Sequence, residues 1–93
     1  MIASFACAAT HSLWRGQRPP SLPPDIHRTA LRKLTQLQAA TFLHDLRLPP
    51  GNRLEALKGD RRGWHSIRIN DQYRLCFRWA DQSAHDVEIT DYH

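Results

Sequence analysis

The chain closes on Asp91-Tyr92-His93, three side chains that can each exchange a proton or a hydrogen bond. Terminal residues fray unless tied down. Here an apolar-alternating stretch, Val87-Glu88-Ile89, runs straight into the three and reads as a strand that delivers them. Upstream lies a set of cations. Arg74 and Arg78 are four residues apart in an alternating segment, so they share one face of a strand. Arg68 on the neighbouring segment joins them, and Lys58 stands beside the loop Gly59-Asp60-Arg61-Arg62-Gly63. With Arg53, Arg61 and Arg62 this forms a basic surface suited to phosphate groups.

Proton-transfer groups beside a phosphate platform suit cleavage of RNA without a metal. The substrate brings its own nucleophile, the ribose 2′-hydroxyl. Such a site needs a base for that hydroxyl, positive charge for the transition state and an acid for the leaving 5′-oxygen. Histidine, carboxylate or tyrosine can serve as base or acid, and arginine or lysine can stabilise the charge. No nucleotide loop and no cofactor is required. The competing reading is structural, with Tyr92 anchoring the end of the chain and His93 a terminal polar residue. Arg18 and Arg28 fall off this face and are expected to take no part in the chemistry.

The elements that position these groups follow from the pattern. Ile2 to Ala8 reads as a first strand, and Thr10 as the N-cap of a brief helix from His11 to Gln17. Four prolines between Pro19 and Pro24 form a rigid connector, since proline fits neither helix interior nor central strand. Asp25 to about His44 reads as the main helix. Ile26, Ala30, Leu31, Leu34 and Leu37 form its apolar stripe, with Arg28, Arg32, Lys33 and Gln36 on the other side. Four strands follow: Arg53 to Leu57, His65 to Ile69, Tyr73 to Trp79 and His85 to Thr90. Asn70-Asp71-Gln72 and Asp81-Gln82-Ser83 are turns. Connections this short make the strands antiparallel. Tyr73, Leu75, Phe77 and Trp79 point inward, and Arg74, Cys76 and Arg78 outward. The expected fold is α+β, in the order β-α-α-β-β-β-β, an antiparallel sheet with two helices packed on one face.

Size and composition bound the rest. Residues 1–93 are expected to form a single domain. With 41% hydrophobic and 24% charged residues, the chain reads as a soluble globular protein, and no segment has the length to span a membrane. The N-terminus lacks the basic start of a signal peptide, so a cytoplasmic location is expected. Cys7 and Cys76 form no CxxC pair and are expected as reduced thiols. The six histidines lack metal-ligand spacing, so no metal and no cofactor is expected. Net charge is +4, unevenly spread. Gly51 to Arg78 holds seven basic residues against three acids, while Trp79 onward holds four acids and no Lys or Arg. A polyanionic partner suits the basic segment.

The stretch NRLEALKGDRRGWHSIRINDQYRLCFRW, followed by a closing EITDYH, resembles the HigB toxins, the plasmid-maintenance killer family within the RelE superfamily. The likeness runs through the whole chain, including its opening MI-SF and the segment DLRLPPGNRLEALKGDR. It implies a small RelE-like, microbial-RNase-like fold. It also implies a toxin that cuts mRNA on the ribosome and inhibits translation. The implied partner is a HigA-type helix-turn-helix antitoxin, which neutralises the toxin and links it indirectly to operator DNA. Family catalytic roles would fall on Asp91, Tyr92 and His93, with Lys58 and Arg74 supporting the phosphate. Some relatives carry a histidine where this chain has Glu55, so Glu55 is either a base in its place or chemically silent. Two other functions fit a basic chain of this kind. One is an RNA- or ribosome-binding growth inhibitor with little or no catalysis, and the other a ParE-like poison of a protein target. Trp64, beside the loop, is a candidate contact to a base or to the partner, whereas Tyr73 and Trp79 belong to the core.

Overall fold

A computed structural model describes residues 1–91. Helix α1 spans Ala8–Trp14 and helix α2 spans His27–Ala39. Four strands follow: β1 (Glu55–Ala56), β2 (Trp64–Arg68), β3 (Tyr73–Ala80) and β4 (Ser83–Asp91). They form one antiparallel sheet in the order β1-β2-β3-β4. The α+β class and the helices on one face agree with the sequence reading. α2 packs on β3 and β4, and α1 packs on α2 and β4.

The core lies between helices and sheet. Ala30, Leu34 and Leu37 of α2 meet Ile67, Leu75, Phe77 and Val87, all fully enclosed. Alternation along β3 puts Leu75 and Phe77 into this core, as a pleated strand requires. Tyr73 and Trp79 are half-buried and pack against it.

Several elements differ from the sequence reading. The expected first strand is reduced to two isolated parallel bridges, Ile2 to Ala84 and Phe5 to Val87. The cause lies in β4. Asp86 adopts a left-handed φ of 54°, and the β3–β4 register shifts between Cys76 and Arg78. That bulge interrupts the β4 edge, so the N-terminal segment bonds on either side of it and cannot form a continuous ladder. Helix α1 begins at Ala8, before Thr10. Thr10 is fully buried and its Oγ1 accepts a hydrogen bond from the Ile89 amide at 3.0 Å. Thr10 therefore ties helix to sheet instead of capping.

The main helix is also shorter than Asp25 to His44. A 3-10 turn at Pro24–Ile26 precedes it, and it stops at Ala39. The Asp45 carboxylate accepts the amides of Thr41 (3.1 Å) and Phe42 (3.0 Å), which stabilises a separate 3-10 turn at Leu43–Arg47. Within α2 two placements change. Leu31 lies at the margin of the stripe and is exposed, while Lys33 is buried. The Lys33 ammonium donates to Oδ1 of Asn52, and Asn52 Nδ2 donates to Gln36 Oε1 (3.0 Å) and to the Leu46 carbonyl (3.1 Å). One enclosed asparagine thus fastens the 3-10 segment to α2. Among the described residues, no helix is long and apolar enough to cross a membrane.

Candidate active site

The sheet face away from the helices carries the groups singled out from the sequence. Cross-strand pairing aligns Glu55, Ser66, Cys76 and Glu88 in one row. The next row holds Arg68, Arg74 and Thr90, and Trp64 pairs with Arg78 beyond. Arg74, Arg78 and Arg68 therefore do share a face. A cleft of about 670 Å³ opens over the short β1 end of this face, lined among others by Glu55, Lys58, Arg61, Cys76 and Thr90. β1 has only two residues because Arg53, at φ 46°, turns the chain just before it. Lys58 leads into a 3-10 turn, Gly59–Arg61, whose first residue has φ 71°, a conformation that favours glycine.

Arg74 is fixed by the backbone around it. Its Nε donates to Ser66 Oγ at 2.8 Å, and its Nη2 donates to the carbonyls of Arg53 (2.7 Å) and Ser66 (3.3 Å). A guanidinium held on two sides presents its remaining N–H groups in a fixed direction, a preorganised arrangement for an anion. Ser66 has no exposure at all, so this bond lies beneath the surface of the site.

The other expected phosphate ligands divide into two groups. Arg61 pairs with Glu88 at 3.0 Å and lies over the Trp64 ring at 4.4 Å. Arg78 pairs with Asp86 at 3.5 Å, and Arg68 pairs with Asp71. Acids of β4 thus neutralise two of the arginines. Arg53, Lys58 and Arg62 are exposed and, among the described residues, meet no acid. Exposed ion pairs contribute only about 0–1 kcal/mol, so Arg61 can exchange Glu88 for a phosphate at small cost.

Burial at the floor of the cleft raises the Cys76 thiol above its ordinary range, so it stays protonated and is no nucleophile. Cys7 is half-buried, and both cysteines are free. His65 lies on the inner face, stacked on Phe77 with ring centres 6.2 Å apart. Among the described residues no group of three or more His, Cys, Asp or Glu gathers to hold a metal.

Asp91 ends β4 opposite Tyr73, and its carboxylate accepts from Gln72 Nε2 at 3.0 Å. Thr90, one residue earlier, is the β4 residue paired with Arg74. The structure therefore gathers Glu55, Lys58, Arg61 and Thr90 around one cleft with Arg74 alongside, and sets Asp91 apart from it. Tyr92 and His93 lie outside the described residues. The sequence reading assigned no role to Ser66, Thr90 or Asn52. Alternation with the inward Ile67 puts Ser66 on the outer face, but its bond to Arg74 depends on the β2–β3 register.

Residues 11–93 match the family described as the RelE-like toxin of the type II toxin–antitoxin system HigB. Toxin HigB-1 of Vibrio cholerae is 53% identical over 63 residues, a stretch covering 68% of this chain and 66% of that one, just under two thirds of its length. An uncharacterized protein of Haemophilus influenzae is 32% identical over 74 residues, covering 80% and 73%. Among solved structures, YoeB from the YoeB–YefM complex of Staphylococcus aureus superposes with a TM-score of 0.63 at 15% identity, covering 100% of this chain and 98% of that one. YafQ from E. coli strain BL21(DE3) gives 0.58 at 11% identity, covering 98% and 93%. Those two likenesses concern the fold alone. The family match spans nearly the whole chain and includes every strand of the cleft, so the chain belongs to the HigB-like toxins of the RelE superfamily.

Proposed function

We propose that this toxin is an mRNA endoribonuclease that acts on the ribosome without a metal and is neutralised by a HigA-type antitoxin. The observation that carries the reading is the cleft itself. A carboxylate (Glu55) and free or exchangeable cations (Lys58, Arg61) face one open space, beside an arginine anchored by Ser66. Belonging to a toxin–antitoxin family supports the antitoxin partner.

In this reading the 2′-hydroxyl loses its proton to a base and its oxygen bonds to phosphorus. The P–O5′ bond then breaks, and an acid supplies a proton to the 5′-oxygen, leaving a 2′,3′-cyclic phosphate and a 5′-hydroxyl. Arg74 and Lys58 stabilise the charge that gathers on the non-bridging oxygens. Glu55 is the described residue in the cleft able to act as base. Tyr92 and His93 complete the proposed proton-transfer set, and Asp91, whose carboxylate accepts from Gln72 apart from the cleft, supports the end of β4 that leads to them. Arg53, Arg61, Arg62, Arg68 and Arg78 guide the RNA backbone.

Cleavage of mRNA on programmed ribosomes with EDTA present tests this, comparing wild type with Glu55→Gln and His93→Ala. Cleavage by wild type, with loss in His93→Ala, is the expected result. Absence of cleavage by wild type, with ribosome binding intact, would overturn it in favour of a binding inhibitor.

A further inference from the structure

The helical layer carries a second cleft, of about 400 Å³, between α1 and α2. Leu13, Pro24, His27 and Leu31 wall it, and Arg18 and Arg28 border it. Unlike Arg61, Arg68 and Arg78 on the sheet, these two arginines meet no acid among the described residues. The chain from His11 to His44 holds five Lys and Arg against one acid, Asp25. The first turn of α2 contains His27 and Arg28 and no acid, although the positive end of a helix favours negative charge.

His27 adds an independent observation. It is only 9% exposed, and its Nε2 donates to the Leu22 carbonyl at 3.0 Å. A carbonyl only accepts, so Nε2 carries the proton and Nδ1 of the neutral ring is an acceptor. That Nδ1 is buried with no partner. A buried acceptor left unpaired is costly, so a residue of the cleft wall is left incompletely satisfied within the chain itself.

The walls choose between possible occupants. A nucleic-acid backbone would satisfy the arginines but bury none of the apolar surface of Leu13, Pro24 and Leu31. An acidic protein segment with a flanking aliphatic side chain satisfies both the arginines and the apolar wall. Its carboxylate suits Arg18 and Arg28, and its aliphatic group suits Leu31 and Pro24. We propose that the α1–α2 cleft is the docking site for such a segment of the antitoxin. The inference rests on the antitoxin partner named above and is separate from the cleavage cleft on the opposite face.

The test pairs two readouts on the full chain. Titration calorimetry with a full-length HigA-type antitoxin compares wild type, Arg18→Glu/Arg28→Glu and Arg32→Glu, an exposed position that does not line the cleft. Ribosomal mRNA cleavage is measured on the same proteins. The double variant is expected to bind at least about tenfold more weakly, with cleavage unchanged and Arg32→Glu close to wild type. Leu31→Ser, which keeps the charges, is expected to weaken binding as well. Unchanged affinity in the double variant would overturn the proposal. So would loss of cleavage with affinity intact, which would assign the cleft to ribosomal or messenger RNA. Failure of wild type to bind the antitoxin would overturn it together with the partner assignment, and intact cleavage in that sample would show that the nuclease reading stands.

Discussion

Arg74 is the residue whose surroundings say most about its task. Three hydrogen bonds from its guanidinium to Ser66 and to the Arg53 carbonyl hold it rigidly beside the cleft. Arg74→Ala is expected to slow single-turnover cleavage by about 10²–10³-fold if the charge meets the reacting phosphate. Its lost hydrogen bonds should cost about 1–2 kcal/mol of stability, so a urea titration separates the two effects. Ser66→Ala keeps the charge and both carbonyl contacts and removes only the bond to Nε, so its loss of rate should be smaller. His65 makes a second prediction. Burial lowers its proton affinity below the ordinary histidine value, against an opposing contribution from the Gly63 backbone. The unfolded chain therefore takes up the proton first as pH falls. The stability contributed by neutral His65 is present above the unfolded value of about 6.5 and is lost as pH falls below it. His65→Phe should flatten the decline in urea midpoint between about pH 7.5 and pH 5.5. An equally steep decline in the variant would remove His65 as its source.

Among the elements, the segment from Thr41 to Arg53 bears most on the site, because it sets where β1 begins. Its anchor is Asn52, which is fully enclosed and bonded to Lys33, Gln36 and two carbonyls, those of Leu46 and Leu48. Asn52→Ala would leave the Lys33 ammonium and these carbonyls without their partner inside the protein. The expected loss is about 2–4 kcal/mol, read from chemical denaturation. Cleavage should fall more steeply than the folded fraction, since Arg53, the next residue, supplies the carbonyl that holds Arg74. A variant with wild-type stability would show that the network contributes no net energy.

At the scale of the molecule, two faces divide the charge. The sheet face mixes cations with the acids of β4, while the helical segment from His11 to His44 holds five Lys and Arg against Asp25 alone. The net charge of +4 is therefore divided unevenly between the two faces. Raising salt from about 50 to about 200 mM should weaken association with ribosomes. Lys58→Gln is expected to reduce the logarithmic salt slope by about one, because each phosphate contact releases a counterion. Arg68→Gln should change it less, because Asp71 already balances Arg68. Equal slopes for wild type and Lys58→Gln, from filter binding across the salt series, would remove Lys58 from the nucleic-acid contact.

Much of this architecture was legible without coordinates. Period-two alternation in Tyr73 to Trp79 and short turns such as Asn70-Asp71-Gln72 determine an antiparallel sheet with Leu75 and Phe77 inward and Arg74 and Arg78 outward. The spacing of Ile26, Ala30, Leu34 and Leu37 determines the packed helix. The stretch from Asn52 to Trp79 and the closing EITDYH pointed to the family. What local pattern leaves open is whatever depends on a partner distant in the chain. The bulge at Asp86 removed the first strand, and Asn52 drew Lys33 inside against the helical pattern. The β2–β3 register put Ser66 under Arg74, and Arg61 was paired by Glu88, twenty-seven residues away. Alternation and periodicity act between neighbours, so they decide which face a residue takes. Only tertiary packing brings separated segments close enough for one side chain to decide what another can do.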